Sequence, residues 1–352
     1  MNNDLNGLIK GLHHITLVTS NFEINNRFYT EILGLRRVKL SVNQDDIFHR
    51  HLFYSDYKGS AGATITFFEW PDLEMGKYGL GVHHHLSYVV NSLESLIKWK
   101  SWLNKNYVPT VGPLNRGEHI SLYLRDPDGS IIEIISVNKE KIDQKYIDEM
   151  LKNLPNIKSI DNDMRFIKFD HAAPITSNYN VAERFFSKLL GLEKTSLTNN
   201  PDDENSYILK IGNIENQYFI QYIYHEAATW GEIGHGSIHH VAMLVEDESD
   251  QLKIMHKLNK LGIRNSGIVD RFWFKSLYFR DLEGNLFEIA TKNPGYTVDE
   301  PFEKLGTRLI LPPWLESMRE KIEAKLKELD AKNKAIWPPK YPTLNEKPEK
   351  IL

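Results

Sequence analysis

A chain of 352 residues is about twice the length of an ordinary domain, so two domains, or one body built from duplicated halves, are expected. With 41% hydrophobic and 26% charged residues the composition is that of a globular protein with a sizeable core, and 43 Lys+Arg against 47 Asp+Glu leave a formal charge of −4, which argues against nucleic acid as a partner. There is no cysteine, which removes disulfides, thiolate metal sites and Cys nucleophiles, and no apolar run approaches the roughly 18 residues of a membrane span.

Met1–Lys10 is too polar for a signal-peptide core, so a cytoplasmic location is expected. The first unit opens with strand-like His13-His14-Ile15-Thr16-Leu17-Val18. Asn21 and Phe22 then precede Ile24, Phe28, Ile32 and Leu33 at helical spacing, and Gly34 stands where a left-handed C-cap is wanted. Strands Arg36–Val42, Phe48–Tyr54 and Ala63–Glu69 complete the unit. In the second unit, His83-His84-His85-Leu86-Ser87-Tyr88 leads to a helix through Leu93, Leu96, Ile97, Trp99 and Leu103. Strands Ile120–Leu124 and Ser130–Ser136 follow, joined by the turn Asp126-Pro127-Asp128-Gly129. Asn138 to about Arg165 reads as a solvated linker with a helical turn or two. The third and fourth units open with Asp170-His171-Ala172-Ala173 and Ile238-His239-His240-Val241-Ala242-Met243. Pro312-Pro313 then starts a helix with Leu315, Met318, Ile322, Leu326 and Leu329 on one stripe. The Pro/Lys-rich tail from Ile336 has no periodicity and is expected to be extended or disordered, without a chemical role.

The halves repeat. Phe28-Tyr29 through Leu33-Gly34-Leu35 matches Phe185-Phe186 through Leu190-Gly191-Leu192 at an offset of 157, which also carries His14 onto His171. Arg125-Asp126 through Glu133-Ile134 matches Arg280-Asp281 through Glu288-Ile289 at 155, which carries His85 onto His240. The expected fold is α+β: four βαβββ modules forming two cupped, barrel-like domains of mixed β-sheet, with a C-terminal helix and an extended tail. The boundaries expected are 8–138 and 166–293 for the two-module halves, 139–165 for the linker, and 294–352 for an extension with a helix at about 313–332.

Strand alternation selects the chemistry. Val241, Met243 and Val245 belong against a helix, which leaves His240 and Ala242 on the concave face; the same test puts His14 with Thr16, and Glu288 with Ala290, on that face. Two imidazoles and a carboxylate form the facial triad of non-heme Fe(II) oxygenases, with Mn(II) and Zn(II) also compatible. An inward carboxylate is costly without a cation, the competing explanation being a nearby Arg. Any single strand His has a blander reading as a satisfied core or surface residue.

The βαβββ repeats, the His-His-Ile-Thr opening and Phe287-Glu288-Ile289-Ala290-Thr291 resemble the vicinal-oxygen-chelate superfamily of glyoxalases, bleomycin-resistance proteins and extradiol dioxygenases. Asp270-Arg271-Phe272, Lys275–Arg280, Pro294–Pro301 and Leu311–Leu315 further resemble bacterial hydroquinone-type ring-cleaving dioxygenases, over about residues 10 to 320. The resemblance implies Fe(II) on His14, His240 and Glu288, between the first and fourth modules. It also implies functional roles for His13, Thr16, His239, Arg271 and Tyr278, with an aromatic diol and O2 as partners. Arg271 would hold developing negative charge and Tyr278 would donate a hydrogen bond; a salt bridge to Asp270 or a surface Glu is the alternative for Arg271. His13 and His239 point away from the metal if alternation is strict, as neighbours of the ligands or as acid/base groups. Trp230, His225 and Tyr224 are candidate pocket walls.

Pseudo-symmetry groups His85, Glu133 and His171 as a second set, with Arg116 and Tyr123 at the places of Arg271 and Tyr278. A vestige of duplication and a second metal site both remain open. On the same fold, a glyoxalase-like isomerase or transferase using Glu69 as a further carboxylate, or a protein sequestering a small aromatic molecule, is the rival function. A homo-oligomer is also left open.

Overall fold

The computed structural model describes residues 5, 7–213, 218–344 and 346–350. Module one is β1 (Gly11–Thr19), α1 (Phe22–Arg27), β2 (Arg36–Asn43), β3 (Asp46–Ser55) and β4 (Thr64–Glu69). Module two is β5 (His83–Val89), α2 (Leu93–Lys105), β6 (Thr110–Asn115), β7 (His119–Arg125) and β8 (Ile131–Val137), followed by α3 (Gln144–Leu151). Module three is β9 (Lys168–Thr176), α4 (Tyr179–Leu190), β10 (Glu193–Asn199), β11 (Ser206–Asn213) and β12 (Tyr218–His225). Module four is β13 (Ile238–Val245), α5 (Glu248–Lys260), β14 (Asn265–Asp270), β15 (Lys275–Arg280) and β16 (Leu286–Thr291), and α6 (Arg319–Lys332) lies beyond it.

Local chemistry sets the helix starts. Asn21, Ser92, Asp143, Asn178 and Asp247 each accept a backbone N–H of the first turn, and Gly191 ends α4 in the left-handed region that glycine enters without strain. The apolar helix faces, including Leu96, Trp99 and Leu103, are buried against the convex side of the sheets. In the second module the sequence reading placed no strand before Ile120. β6 carries Gly112-Pro113 in its middle, which erases the strand pattern, and its pairing with β7 slips between Val111 and Leu114.

Sheet pairing crosses the halves. β1 pairs with β13, joining modules one and four into the order β2-β3-β4-β1-β13-β16-β15-β14. β5 pairs with β9, joining modules two and three into β10-β11-β12-β9-β5-β8-β7-β6. A single register pair, Ile238 with His83, connects these two mixed cups into one sheet, and neither cup closes into a barrel. The repeated Asp-containing turns fasten modules together: Asp126 accepts from Tyr29 Oη at 2.9 Å and Asp281 from Tyr222 Oη at 2.6 Å. A helix does lie beyond Pro312-Pro313, with a 3-10 turn at Pro313–Met318 before α6; Ile322 and Leu326 pack with Val42 and Leu311. No helix among the described residues is long and apolar enough to cross a membrane.

Candidate metal centre

On the floor of the first cup His14 stands opposite Ala242, and Ala242 opposite Glu288, while His240 stands opposite Thr16. The small Ala242 leaves room for the longer side chains on either side to converge over it. His14 Nε2 and His240 Nε2 lie 3.3 and 3.0 Å from Glu288 Oε2 and 3.4 Å from each other. All three side chains are buried. Glu288 Oε1 accepts from Ser276 Oγ at 2.5 Å, but Oε2 has no hydrogen-bond partner of good geometry. Burial opposes ionisation of Glu288, yet the His14 and His240 imidazoles outweigh it and hold the carboxyl well below the usual range. An orphaned carboxylate oxygen facing two imidazole nitrogens fits a divalent cation held by N2O donors.

Each of the two histidines is fixed through its other nitrogen. His13 Nδ1 lies 2.8 Å from His14 Nδ1, and His239 Nδ1 lies 2.8 Å from His240 Nδ1. Strict alternation would turn His13 and His239 away. Instead each is the extra residue of a β-bulge: pairing slips between Leu12 and His14 on β1, and between Ile238 and His240 on β13. The bulge brings consecutive imidazoles edge to edge, so one sets the tautomer and aim of the next. Burial, then the adjacent His14, lowers His13 to about 3; burial, then His240, lowers His239 to about 3. Both are therefore neutral at physiological pH, able to accept a hydrogen bond from the Nδ1–H of the neighbouring ring.

The remaining candidates surround this cluster. Thr16 Oγ1 is 3.0 Å from His240 Nε2 and 2.8 Å from Thr66 Oγ1. Tyr278 pairs across from Glu288 with its ring 5.6 Å from that of His240, and burial followed by Glu288 raises its phenol. Arg271 lies over the Tyr278 ring at 5.3 Å and makes a two-pronged bond to Asp45 at 3.1 and 2.7 Å. Asp45, in the β2–β3 turn, is thus the partner, not Asp270 or a glutamate. The cavity of about 30 Å³ beside the cluster is walled by Phe53, Phe68, Trp273 and Phe274 and also bordered by His51.

His51 was missed, although alternation through Leu52 and Tyr54 on the buried side places it on the concave face with Phe53. Its Nε2 is 2.9 Å from Thr66 Oγ1. Trp230, His225 and Tyr224 do not wall this cavity: Trp230 is 68% exposed, and the other two line a separate surface depression. Glu69 is also spoken for. It pairs with Arg50 at 2.8 Å and accepts from Phe22 N at 2.9 Å, while Thr64 and Thr66 occupy the β4 positions paired with His14 and Thr16.

Comparison with known proteins agrees with this architecture. The chain is 31% identical over 329 residues to the Bacillus subtilis (strain 168) protein named "Putative ring-cleaving dioxygenase MhqA", covering 91% of this chain and 99% of that one. It is 26% identical over 325 residues to a "Chlorohydroquinone/hydroquinone 1,2-dioxygenase" of Sphingobium indicum, covering 89% and 95%. The crystal structure of a "putative dioxygenase from Bacillus subtilis subsp. subtilis str. 168" superposes with a TM-score of 0.76 at 27% identity, covering 96% of this chain and 99% of that one. The family model for the Glyoxalase/Bleomycin resistance protein/Dioxygenase superfamily matches residues 11–134 and 168–289, one match to each repeated half. Two copies of its unit, sheets joined across the repeat and a ligand cluster where they meet make this chain a member of that superfamily.

Proposed function

We propose that the first cup is the active site of a ring-cleaving dioxygenase that opens a hydroquinone- or catechol-type diol with O2, using Fe(II) held by His14, His240 and Glu288. The observation that carries this reading is the orphaned Glu288 Oε2 between two Nε2 atoms, in a cavity walled by aromatic rings. The names of the relatives supply the reaction class. Mn(II) or another divalent ion is a chemically acceptable substitute. Bound Fe(II) would supply Lewis acidity toward the diol oxygen and electrons toward O2.

The side chains divide the remaining work. His51, held neutral by burial and by the nearby His14 and His240, is placed to accept the diol proton. Tyr278 keeps its proton and donates it in a hydrogen bond to a substrate oxygen, and Arg271 offers a fixed cation to charge developing at the rim. The aromatic walls exclude water and stack on the ring. The Asn43–Asp45 turn that Arg271 tethers borders this cavity.

Protein loaded anaerobically with Fe(II) is expected to take up one O2 per hydroquinone or catechol with loss of aromatic absorbance. Absence of uptake across a panel of both diol types overturns the proposal. Arg271→Met is expected to lower kcat/KM about 100-fold with metal content unchanged, the size of effect seen when one fixed charge-stabilising donor is lost. Steady-state oxygen consumption measures it, and an unaltered rate would remove Arg271 from the mechanism.

A further inference from the structure

The second cup carries its own convergence. His85 on β5, Glu133 on β8 and His171 on β9 are fully buried, and their ligand atoms lie within 4.8 Å of one another. His85 Nε2 and His171 Nε2 are 3.1 Å apart, and Glu133 Oε2 is 3.3 Å from His171 Nε2 and 3.9 Å from His85 Nε2. Donors bound to one cation at about 2.1 Å sit roughly 3.0 Å apart in octahedral and 3.4 Å in tetrahedral geometry, so small shifts suffice for all three to bind.

The bulges recur as well. Pairing slips at His84 and at Asp170, the residues before His85 and His171. His84 Nδ1 is 2.9 Å from His85 Nδ1, and His171 Nδ1 donates to Asp170 Oδ2 at 2.8 Å. An ionised carboxylate only accepts, so the proton of a neutral His171 is on Nδ1 and its Nε2 lone pair faces the cluster. Neither oxygen of Glu133 has a hydrogen-bond partner of good geometry. Here the ligand geometry and its supports are intact.

One carboxylate comes from outside the repeat. Glu349, in the C-terminal tail, is 2% exposed; its Oε1 accepts from Tyr123 Oη at 3.1 Å and lies 4.0 Å from His85 Nε2, and its Oε2 has no partner. The tail is pinned there by its backbone: Glu349 N donates to Asp202 Oδ2 at 3.0 Å, and Glu349 O accepts from Asn200 Nδ2 at 3.2 Å. Asp202 also receives both prongs of Arg116 at 3.0 and 2.7 Å. Arg116 and Tyr123 are the counterparts of Arg271 and Tyr278. In the first cup the pair borders the cavity and Asp45 holds Arg271; in the second, Asp202 holds Arg116, Glu349 accepts from Tyr123, and Arg116, His119 and Glu349 border a cavity of about 330 Å³.

We propose that His85, Glu133 and His171 bind a second divalent cation, and that Glu349 closes its coordination sphere, making a structural site that locks the C-terminal tail onto the second cup. The assignment does not depend on the reaction proposed for the first cup. It is tested on the full chain, stripped by chelation and titrated anaerobically with Mn(II), free Mn(II) being counted by electron paramagnetic resonance. Wild type is expected to bind two equivalents, and His171→Ala and Glu288→Gln one each. Glu349→Gln is expected to weaken one of the two equivalents at least tenfold and leave the other unchanged. Mn(II) should also slow tryptic cleavage after the exposed Lys340 several-fold in wild type and not in His171→Ala. Wild type and His171→Ala binding the same number of equivalents overturns the site; a Glu349→Gln titration identical to wild type overturns the closure by the tail.

Discussion

Glu288→Gln is expected to empty the first cup of metal and to lower ring cleavage at least about 1,000-fold. The loss follows from charge. Glu288 is the one anion of the set, and an amide neither neutralises a divalent ion nor binds it with comparable strength; a thousandfold corresponds to about 4 kcal/mol of barrier, within what a bound metal supplies. Gln keeps a carbonyl for Ser276 Oγ. Elemental analysis and steady-state oxygen consumption measure the two effects, and metal content equal to wild type would sink the ligand assignment.

Local signals made part of this site legible in the sequence. Alternation on β1, β13 and β16 is a local property, and Ala242 and Ala290 mark the concave side, so His14, His240 and Glu288 could be placed on one face before any sheet was paired. The offsets of the internal repeat then yielded His85, Glu133 and His171. A bulge is not local in this sense. It depends on how two strands pair, so the positions of His13, His84, Asp170 and His239 contradict a strict period of two; the signal was consecutive polar residues, three times a His doublet, at the start of a buried strand. His51 was readable by the same alternation test and was not read. Glu349 had no local signal at all. Its tail lacks periodicity, and its burial comes from docking against Asn200, Asp202 and Tyr123, which the sequence places far away.

Lys39→Met is expected to cost about 3–5 kcal/mol of stability, the cost of leaving buried charges without their partner. Lys39 is fully buried on β2, with Nζ 2.5 Å from Asp299 Oδ1 and 2.6 Å from Glu300 Oε2. The methionine would fill the aliphatic volume of the lysine but leave two adjacent carboxylates without a cation. This triad also links the extension after β16 to the first cup, because Asp299 Oδ2 accepts from Trp273 Nε1 at 3.1 Å and Trp273 walls the cavity beside His14 and His240. Looser packing of Trp273 should therefore raise KM for the diol before it affects metal content. The triple variant Lys39→Met, Asp299→Asn, Glu300→Gln removes the charges together and is expected to recover most of the lost stability, since an apolar or neutral replacement of a whole buried ion set is close to neutral. Chemical denaturation reads both variants. A single variant as stable as wild type would mean that the carboxylates find water or Arg308 instead, and a triple variant no better than the single would place the loss in packing rather than charge.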